Sequence, residues 1–336
     1  MSEPFRRVTR ADVARRAGVS ETIVSYVINN NRYVKEEKRQ AVEKAIRELQ
    51  YRPNNIARAL RRKMSNQILF IADNISNEHF GQTVSEMDKY AYNRGFLVSL
   101  CANRNSKEFV SRIISYQVDG IVISSVSFPE RYIAMLVQAQ IPVVLMWTRE
   151  YAHVPPQVAI IDSGLYEGAC TVVNHLYTRG RRNNIYIDRI STHDHYGNMQ
   201  DHRYRGFVEQ MEKLGLPLTK QNIVTGCRTE QEVFDSVCAL IEGGYPVDGI
   251  FGRNDNLACI AMLAAQAAGK RIPEDISVVG FDDSTMSRRT VPMLTTIEIQ
   301  RETIAERTIE MLSEMIQGKR PENVMLKTRL IQRGSS

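Results

Sequence analysis

Much that marks secreted, membrane and catalytic proteins is missing from this 336-residue chain. Its five cysteines, Cys101, Cys170, Cys227, Cys238 and Cys259, are scattered, with no Cys-x-x-Cys pair among them. That argues against a zinc knuckle and against a secreted disulfide framework, and leaves each as a small buried apolar residue. The first residues, MSEPFRRVTR, lack the apolar stretch of a signal peptide. No apolar run reaches the roughly 18 residues of a membrane span. The expectation is therefore a cytosolic protein with no membrane partner. Also absent are a P-loop, a Gly-x-Gly-x-x-Gly, a Gly-x-Ser-x-Gly and a metal triad. His193-Asp194-His195, with His202 nearby, fits no common zinc spacing. Asp282 and Asp283 are adjacent, which suits ligand binding or structure better than a facing acid–base pair. Neither an enzyme nor a metal or other cofactor is expected.

What the chain does contain is charge segregated by position. Residues 1–64 hold 16 Lys/Arg against 7 Asp/Glu, whereas the remaining 272 hold 28 against 31. A basic module on a mildly acidic body points to a polyanionic partner. Helical periodicity throughout that module argues against a disordered tail. With 43% apolar and 24% charged residues, the composition is that of a globular protein able to bury a sizeable core.

The basic module reads as three short helices. Thr9, followed three residues later by Asp12, resembles a capping box and opens a helix through about Ala17. Gly18 breaks it, and Ser20 caps a second helix over 21–29. A third spans about 35–50, with Val42, Ala45, Ile46 and Leu49 at core spacing, and Tyr51-Arg52-Pro53 ends it. Residues 54–62 suit one more short helix. At 100° per residue, Ile23, Val24, Val27 and Ile28 share one arc of the second helix. Glu21, Thr22, Ser25, Tyr26 and Asn29 share the opposite one. The apolar arc can pack on Val13, Ala14 and Ala17, leaving a polar face of a size that a DNA major groove admits. A plain helical hairpin with a solvated face is the competing reading; the tight Ala-Gly-Val-Ser turn and the basic surroundings argue against it.

From residue 68 the rhythm changes to short apolar strands alternating with helices. Strands read at 68–72, 96–101, 120–124, 143–147, 185–188, 223–225, 249–252 and 277–281. Helix-period stretches lie at 83–93, 167–177, 205–214, 230–242 and 257–268. Such alternation implies doubly wound parallel sheets, and two lobes of about four to six strands suit the length better than one sheet. Ligands of such sheets sit at the carboxyl ends of strands. The loops to watch are therefore Asp73-Asn74-Ile75-Ser76 with Phe80, Trp147-Thr148-Arg149, residues 188–201, Arg253-Asn254-Asp255 and Asp282-Asp283. Their carboxylates, amides, arginines and aromatics suit a polyhydroxylated ligand.

These residues carry a resemblance. VTRADVARRAGVSETIVSYVINNNRYV and AIRELQYRPNNIARALR resemble the DNA-binding headpiece of the lactose/galactose repressor (LacI/GalR) family. VDGIVI (118–123), EGA…HLYTRGRR (167–182), RYRGF (203–207), RNDNLA (253–258), ISVVGFDD (276–283) and PMLTTI (292–297) extend it in order along essentially the whole chain. The resemblance implies an all-α helix-turn-helix headpiece (1–52), a hinge helix or linker (53–65), and an α/β two-lobed, periplasmic-binding-protein-like domain for effector binding and dimerisation (66–336). The N-lobe would take about 66–161 and 294–321, the C-lobe about 162–293 and 322–336. It implies a homodimer on double-stranded operator DNA of pseudo-palindromic sequence, with affinity set by a small-molecule effector.

By position, Glu21 and Thr22 would be the main base readers, with Ser25 and Asn29 at the backbone and Thr9 and Ser20 beside them. Tyr26 departs from the family's usual Arg. Glu21 is a carboxylate facing a polyanion; it either accepts from cytosine N4 or favours the helix N-terminus electrostatically. In the hinge, Asn54, Ala57 and Arg58 would meet DNA, and Leu60 matches an apolar wedge in the minor groove. In the cleft, Arg203, Asn254 and Asp282 match effector-site positions and Phe80 a wall, with Asp73, Ser76, Trp147, Arg149 and Arg228 alongside. Arg149, Arg203, Arg228 and Arg253 together suggest an effector bearing a carboxylate or phosphate, a sugar acid or phosphosugar. The rival is that the arginines turn to solvent or pair with Asp255 and Asp283, leaving a neutral sugar. A solute-binding receptor without DNA function shares the two-lobed architecture, and the headpiece counts against it.

Overall fold

The computed structural model describes residues 8–52 and 64–336. The hinge expectations on Asn54, Ala57, Arg58 and Leu60 lie outside the described residues. Contacts divide the chain into two units, meeting at Ser65 and Asn66.

The small unit comprises α1 (Arg10–Ala17), α2 (Glu21–Asn29) and α3 (Glu36–Glu48), of which the first two begin and end on local capping chemistry. Thr9 and Asp12 make the reciprocal capping box: Asp12 N–H donates to Thr9 Oγ1 at 3.3 Å and Thr9 N–H to Asp12 Oδ2 at 2.9 Å. Gly18, at φ 66°, ends α1 in the left-handed region where a side chain would be strained. Ser20 Oγ then accepts from Ile23 N–H to cap α2. Val13, Val24, Val27, Val42, Ala45 and Tyr51 are buried as one core, with Ile23, Ile28, Ile46 and Leu49 packed around it. Arg16 and Glu48 tie α1 to α3 at 2.5 Å.

The large unit holds two six-stranded sheets. The first comprises β1 (Gln67–Ala72), β2 (Leu97–Ala102), β3 (Gly120–Ser124), β4 (Val143–Met146), β5 (Ala159–Asp162) and β11 (Val324–Met325), in the order β11-β5-β4-β3-β1-β2, all parallel. The second comprises β6 (Asn184–Ile187), β7 (Ile223–Val224), β8 (Gly249–Gly252), β9 (Ser277–Phe281), β10 (Thr295–Glu298) and β12 (Arg329–Ile331), in the order β12-β10-β9-β8-β6-β7, with β12 antiparallel at its edge. Helices α4 (Glu78–Asn93), α5 (Lys107–Ser115) and α6 (Glu130–Gln138) accompany the first sheet; α7 (Leu165–Thr178), α8 (His202–Lys213), α9 (Glu230–Glu242) and α10 (Asp255–Ala267) accompany the second. Strands such as β3 and β9 are buried throughout, as parallel strands covered on both faces must be.

Two lobe boundaries differ from expectation. Residues 295–298, assigned to the N-lobe, are strand β10 of the second sheet, because Thr295–Ile297 pair with Val279–Phe281. The chain crosses back only afterwards, through α11 (Arg301–Ile316), where Leu312 packs on Gly120 and Glu302 bonds Tyr90. Residues 324–325, assigned to the C-lobe, pair with Ile161 and Asp162 in the first sheet. Strands of two to four residues leave too little apolar pattern to be read from sequence. Helices α5, α6 and α11 were likewise not anticipated.

Candidate DNA-reading surface and ligand cleft

On α2, Glu21, Thr22 and Asn29 are exposed, as the polar arc requires, while Ser25 and Tyr26 are half-buried. Asn29 is engaged within the helix: its Nδ2 donates to Ser25 O at 2.8 Å and to Ser25 Oγ at 3.2 Å. Tyr26 does not stand free on the polar face. Its ring packs against the headpiece core and carries the Arg32 guanidinium, whose Cζ lies 5.3 Å from the ring centroid. Thr9 and Ser20 are exposed and serve as helix caps.

Between the two sheets lies a cavity of about 540 Å³, within the range of pockets that hold drug-sized ligands. Asp73, Ser76, Phe80, Arg203, Arg228, Asn254 and Asp282 all line it. Trp147 and Arg149 do not, and this corrects the expectation. β4 continues its alternation past Met146, so Met146 and Thr148 face the cavity while Trp147, between them, and Arg149, just beyond, turn away. Trp147 packs on Tyr151, ring centroids 5.2 Å apart. Arg149 lies 4.0 Å over the Tyr151 ring and donates through Nη2 to Phe128 O and through Nη1 to Glu150 O.

The second lobe presents a charged wall. Asp201 caps α8, its Oδ1 accepting from the Arg203 and Tyr204 N–H groups, while Oδ2 takes the guanidiniums of Arg189 and, at 2.7 Å, Arg253. Burial alone would push the Asp201 carboxyl up, but Arg253 and Arg189 outweigh it and hold it well below the usual range. Arg253 also donates to Tyr186 Oη at 3.0 Å. Arg203 pairs with Asp282 at 3.3 Å, and its Cζ lies 4.5 Å over the Phe281 ring. Asp282 has φ 105°, a conformation costly for any residue with a side chain. It is held there by its N–H to Ile297 O and by Arg301 donating to its carbonyl.

Close packing sets up the neighbouring wall. A Cβ at Gly252 would collide with the backbone of Ala258, so only glycine lets β8 approach α10 this closely. Asn254 caps α10, its Oδ1 accepting from Leu257 N–H at 2.9 Å. Asp255 follows, buried, accepting from Ser284 N–H at 2.6 Å and from Thr296 Oγ1. Burial, with Asp282 nearby, pushes its carboxyl up to about 7.

From the first lobe, Asp73 accepts from Ser127 Oγ at 2.7 Å, Val126 N–H at 2.9 Å and Ser125 Oγ, and faces Arg189 at 3.9 Å across the cleft. His79 Nδ1 lies 4.0 Å from Asp282, and burial lowers its pKa to about 4, so the ring is neutral. Sequence reasoning missed His79, and it covered Arg189 and Asp201 only as members of the 188–201 loop, without singling them out. Arg189 follows a recognised strand directly, but nothing in its own sequence context separates it from the other arginines of the chain.

The cleft arginines are paired, though not with the expected acids. Asp283 binds Arg288 and Arg333, and Asp255 binds hydroxyl and amide donors. Arg228 pairs with Asp194 at 3.0 Å, Arg149 faces Glu130 at 3.6 Å, and the rest use Asp201 and Asp282. His193, Asp194, His195 and His202 do not converge: His202 is buried against Glu150 at 3.2 Å, and His193 bonds Thr192.

A helix-turn-helix unit and a two-lobed domain with a cleft, on one chain, define a ligand-responsive DNA-binding regulator. Residues 9–54 match the family model of bacterial regulatory proteins of the lacI family, and residues 173–336 that of a periplasmic binding protein-like domain. The chain is 30% identical over 335 residues to the HTH-type transcriptional repressor PurR of Yersinia pestis bv. Antiqua (strain Antiqua), covering 97% of this chain and 96% of that protein. Among solved structures it is similar to a transcriptional regulator CelR–cellobiose complex, with 26% identity, TM-score 0.69, and 98% and 100% of the two chains covered. It is also similar to a periplasmic binding protein/LacI transcriptional regulator from Alkaliphilus metalliredigens QYMF complexed with D-xylulofuranose, with 27% identity, TM-score 0.67, and 81% and 99% covered. The lac repressor dimer bound to operator and the anti-inducer ONPF shares the fold at 24% identity and TM-score 0.80, over 98% and 99% of the chains. The chain belongs to the lacI family of bacterial regulatory proteins. It is a DNA-binding transcription regulator with an effector-binding domain, which sets aside the receptor without DNA function. Among the described residues no helix is long and apolar enough to cross a membrane.

Proposed function

We propose that this protein is a cytoplasmic repressor that binds a pseudo-palindromic operator as a homodimer and responds to a neutral, polyhydroxylated effector in the interlobe cleft. The observation that carries the effector class is the pairing of the arginines. Arg189, Arg203, Arg228 and Arg253 line the cavity, and each already faces a carboxylate. Arg189, Arg203 and Arg253 are neutralised by the buried Asp201 and Asp282, and Arg228 by the exposed Asp194, so they offer an anionic ligand little net attraction. Asp73, Glu78, Glu230 and Asp282 on the same walls repel one. Hydroxyls, which both donate and accept, suit the mixture of carboxylate, amide and guanidinium groups, and Phe80 offers an apolar face to a sugar ring. The cellobiose and D-xylulofuranose complexes of two similar regulators support a sugar.

The small size of one headpiece, which covers only a half-site, supports a homodimer. Effector and operator would be linked through the arrangement of the lobes, each changing the other's affinity by the same factor. Thermal-shift screening of neutral mono- and disaccharides against sugar acids and sugar phosphates tests the effector class. Stabilisation by neutral sugars, with operator affinity altered by the same compounds, is the expected result; stabilisation by the anionic compounds alone would refute it. In the hinge, Leu60→Ala should cut specific binding far more than nonspecific binding, and equal losses would remove the wedge.

A further inference from the structure

The lobes are joined covalently where the chain crosses between the sheets, from β5 to α7, from β10 to α11 and from β11 to β12. A further connection is noncovalent. The segment after β4 meets the segment that opens α8 as a rung of antiparallel sheet, with Arg149 opposite Asp201. Glu150 N–H donates to Gln200 O at 2.8 Å, and His202 N–H to Thr148 O at 3.3 Å. Side chains close over the rung. Glu150 Oε1 accepts from Arg205 Nη1 at 2.8 Å and lies 3.2 Å from His202 Nε2, so one first-lobe carboxylate holds two second-lobe partners. Burial raises the Glu150 carboxyl, but Arg205 and His202 outweigh it and hold it below the usual range.

The place of this rung separates it from the other contacts across the cleft. Asp73 with Arg189, and Glu78 with the Thr285 N–H, also bridge the lobes, but Asp73, Arg189 and Glu78 line the cavity, where a ligand would disturb them. Glu150, Gln200, His202 and Arg205 do not line it, so their contacts hold whether the cavity is empty or filled. Asp201 sits in the middle of the rung, and its carboxylate anchors Arg189 and Arg253 in the cavity wall. Bonds to the first lobe on either side of Asp201 therefore fix the group that positions that wall.

We propose that residues 148–150 and 200–202 form an effector-independent clasp between the lobes, with Glu150 as its catch, and that the clasp sets the lobe arrangement adopted before effector binds. Glu150 is a positioning residue, acting through Asp201 and the contact between lobes. The proposal rests on the reading above in which the arrangement of the lobes links effector and operator.

The test uses the full-length protein without effector and follows hydrogen exchange at single amides, which reports local opening. In Glu150→Ala the amides of Glu150 and His202, which make the two rung bonds, should exchange roughly ten-fold faster or more. Amides of β3 and β9, in the cores of the two lobes, should keep the parent's rates. Glu150→Gln, which keeps an acceptor without the charge, should fall in between. Arg205→Ala should loosen the same two amides. The double variant should loosen them no more than Glu150→Ala alone, because Arg205 has no partner in the clasp once Glu150 is gone. Parent-like exchange at Glu150 and His202, or equal acceleration in β3 and β9, overturns the clasp. Affinity for a duplex selected by the parent from a random pool then tests the reading beneath it. A change of roughly three-fold or more in Glu150→Ala supports both. Loosened exchange at parent-like operator affinity leaves the clasp standing and refutes the link between lobes and operator.

Discussion

The headpiece and the cleft both depend on arginine, and they use it in opposite ways. In the headpiece the basic residues are mostly exposed: Arg15, Arg32, Arg47 and Arg52 stand in solvent on a module with 16 Lys/Arg against 7 Asp/Glu. Their charge is felt at a distance and acts on a polyanion. In the cleft, Arg189, Arg203 and Arg253 are largely buried, and Asp73, Asp201 and Asp282 pair with them. There arginine acts as a rigid fork of donors that shapes a wall. A count of arginines near a site therefore says little about ligand charge until their partners are known.

Ionic strength should expose that contrast most strongly. If the headpieces neutralise about six phosphates, DNA affinity should fall by roughly three orders of magnitude between about 50 and 200 mM salt. Affinity for the effector should stay nearly flat, because buried, paired charges are little screened. Filter binding and calorimetry across that range would break the comparison if the two responses matched. Next in size is Asp201→Ala, which strips Arg189 and Arg253 of their shared carboxylate and α8 of its cap. Removing one member of a buried ion cluster costs about 3–5 kcal/mol. The large domain should unfold correspondingly earlier while the headpiece transition stays put; a calorimetric trace with both unmoved would mean the cluster is not what holds this wall.

A smaller effect is expected from pH. The Asp255 carboxyl, raised to about 7 in the folded protein, sits at about 3.9 in an unfolded chain. Folded protein keeps a proton that unfolded protein releases, so this group lowers stability as pH rises from about 4 to about 7 and adds nothing further above that. Asp255→Asn removes the dependence. Urea denaturation between pH 5 and 8 should show the variant gaining on the parent as pH rises, and parallel curves would contradict the assignment. The smallest change is Thr9→Ala, which breaks the capping box and should cost the headpiece about 1 kcal/mol, with no effect on the large domain.

Most of the headpiece was readable before any coordinates. Capping at Thr9 and Ser20, the break at Gly18 and the apolar arc of α2 are local properties, set within a few residues by hydrogen bonding and helical period. The same holds for eight of the strands and for the loops that border the cleft, since strand ends mark ligand sites in doubly wound sheets. Seven of the nine expected cleft residues line the cavity for that reason.

The remainder depended on contacts between distant segments. Trp147 and Arg149 point away because the alternation of β4 carries past its end. Strands β5, β10, β11 and β12 are short stretches whose sheet membership comes from their neighbours and not from their own pattern. The partner of each arginine lies far away in sequence for Arg203 and Asp282, 79 residues apart, and for Arg253 and Asp201. Composition and period determined that a basic helix-turn-helix precedes a two-lobed sensor, because those signals are local and additive. Which charges remain free to meet a ligand was decided only by the tertiary structure, because ion pairing depends on which side chains the fold brings within about 4 Å of one another.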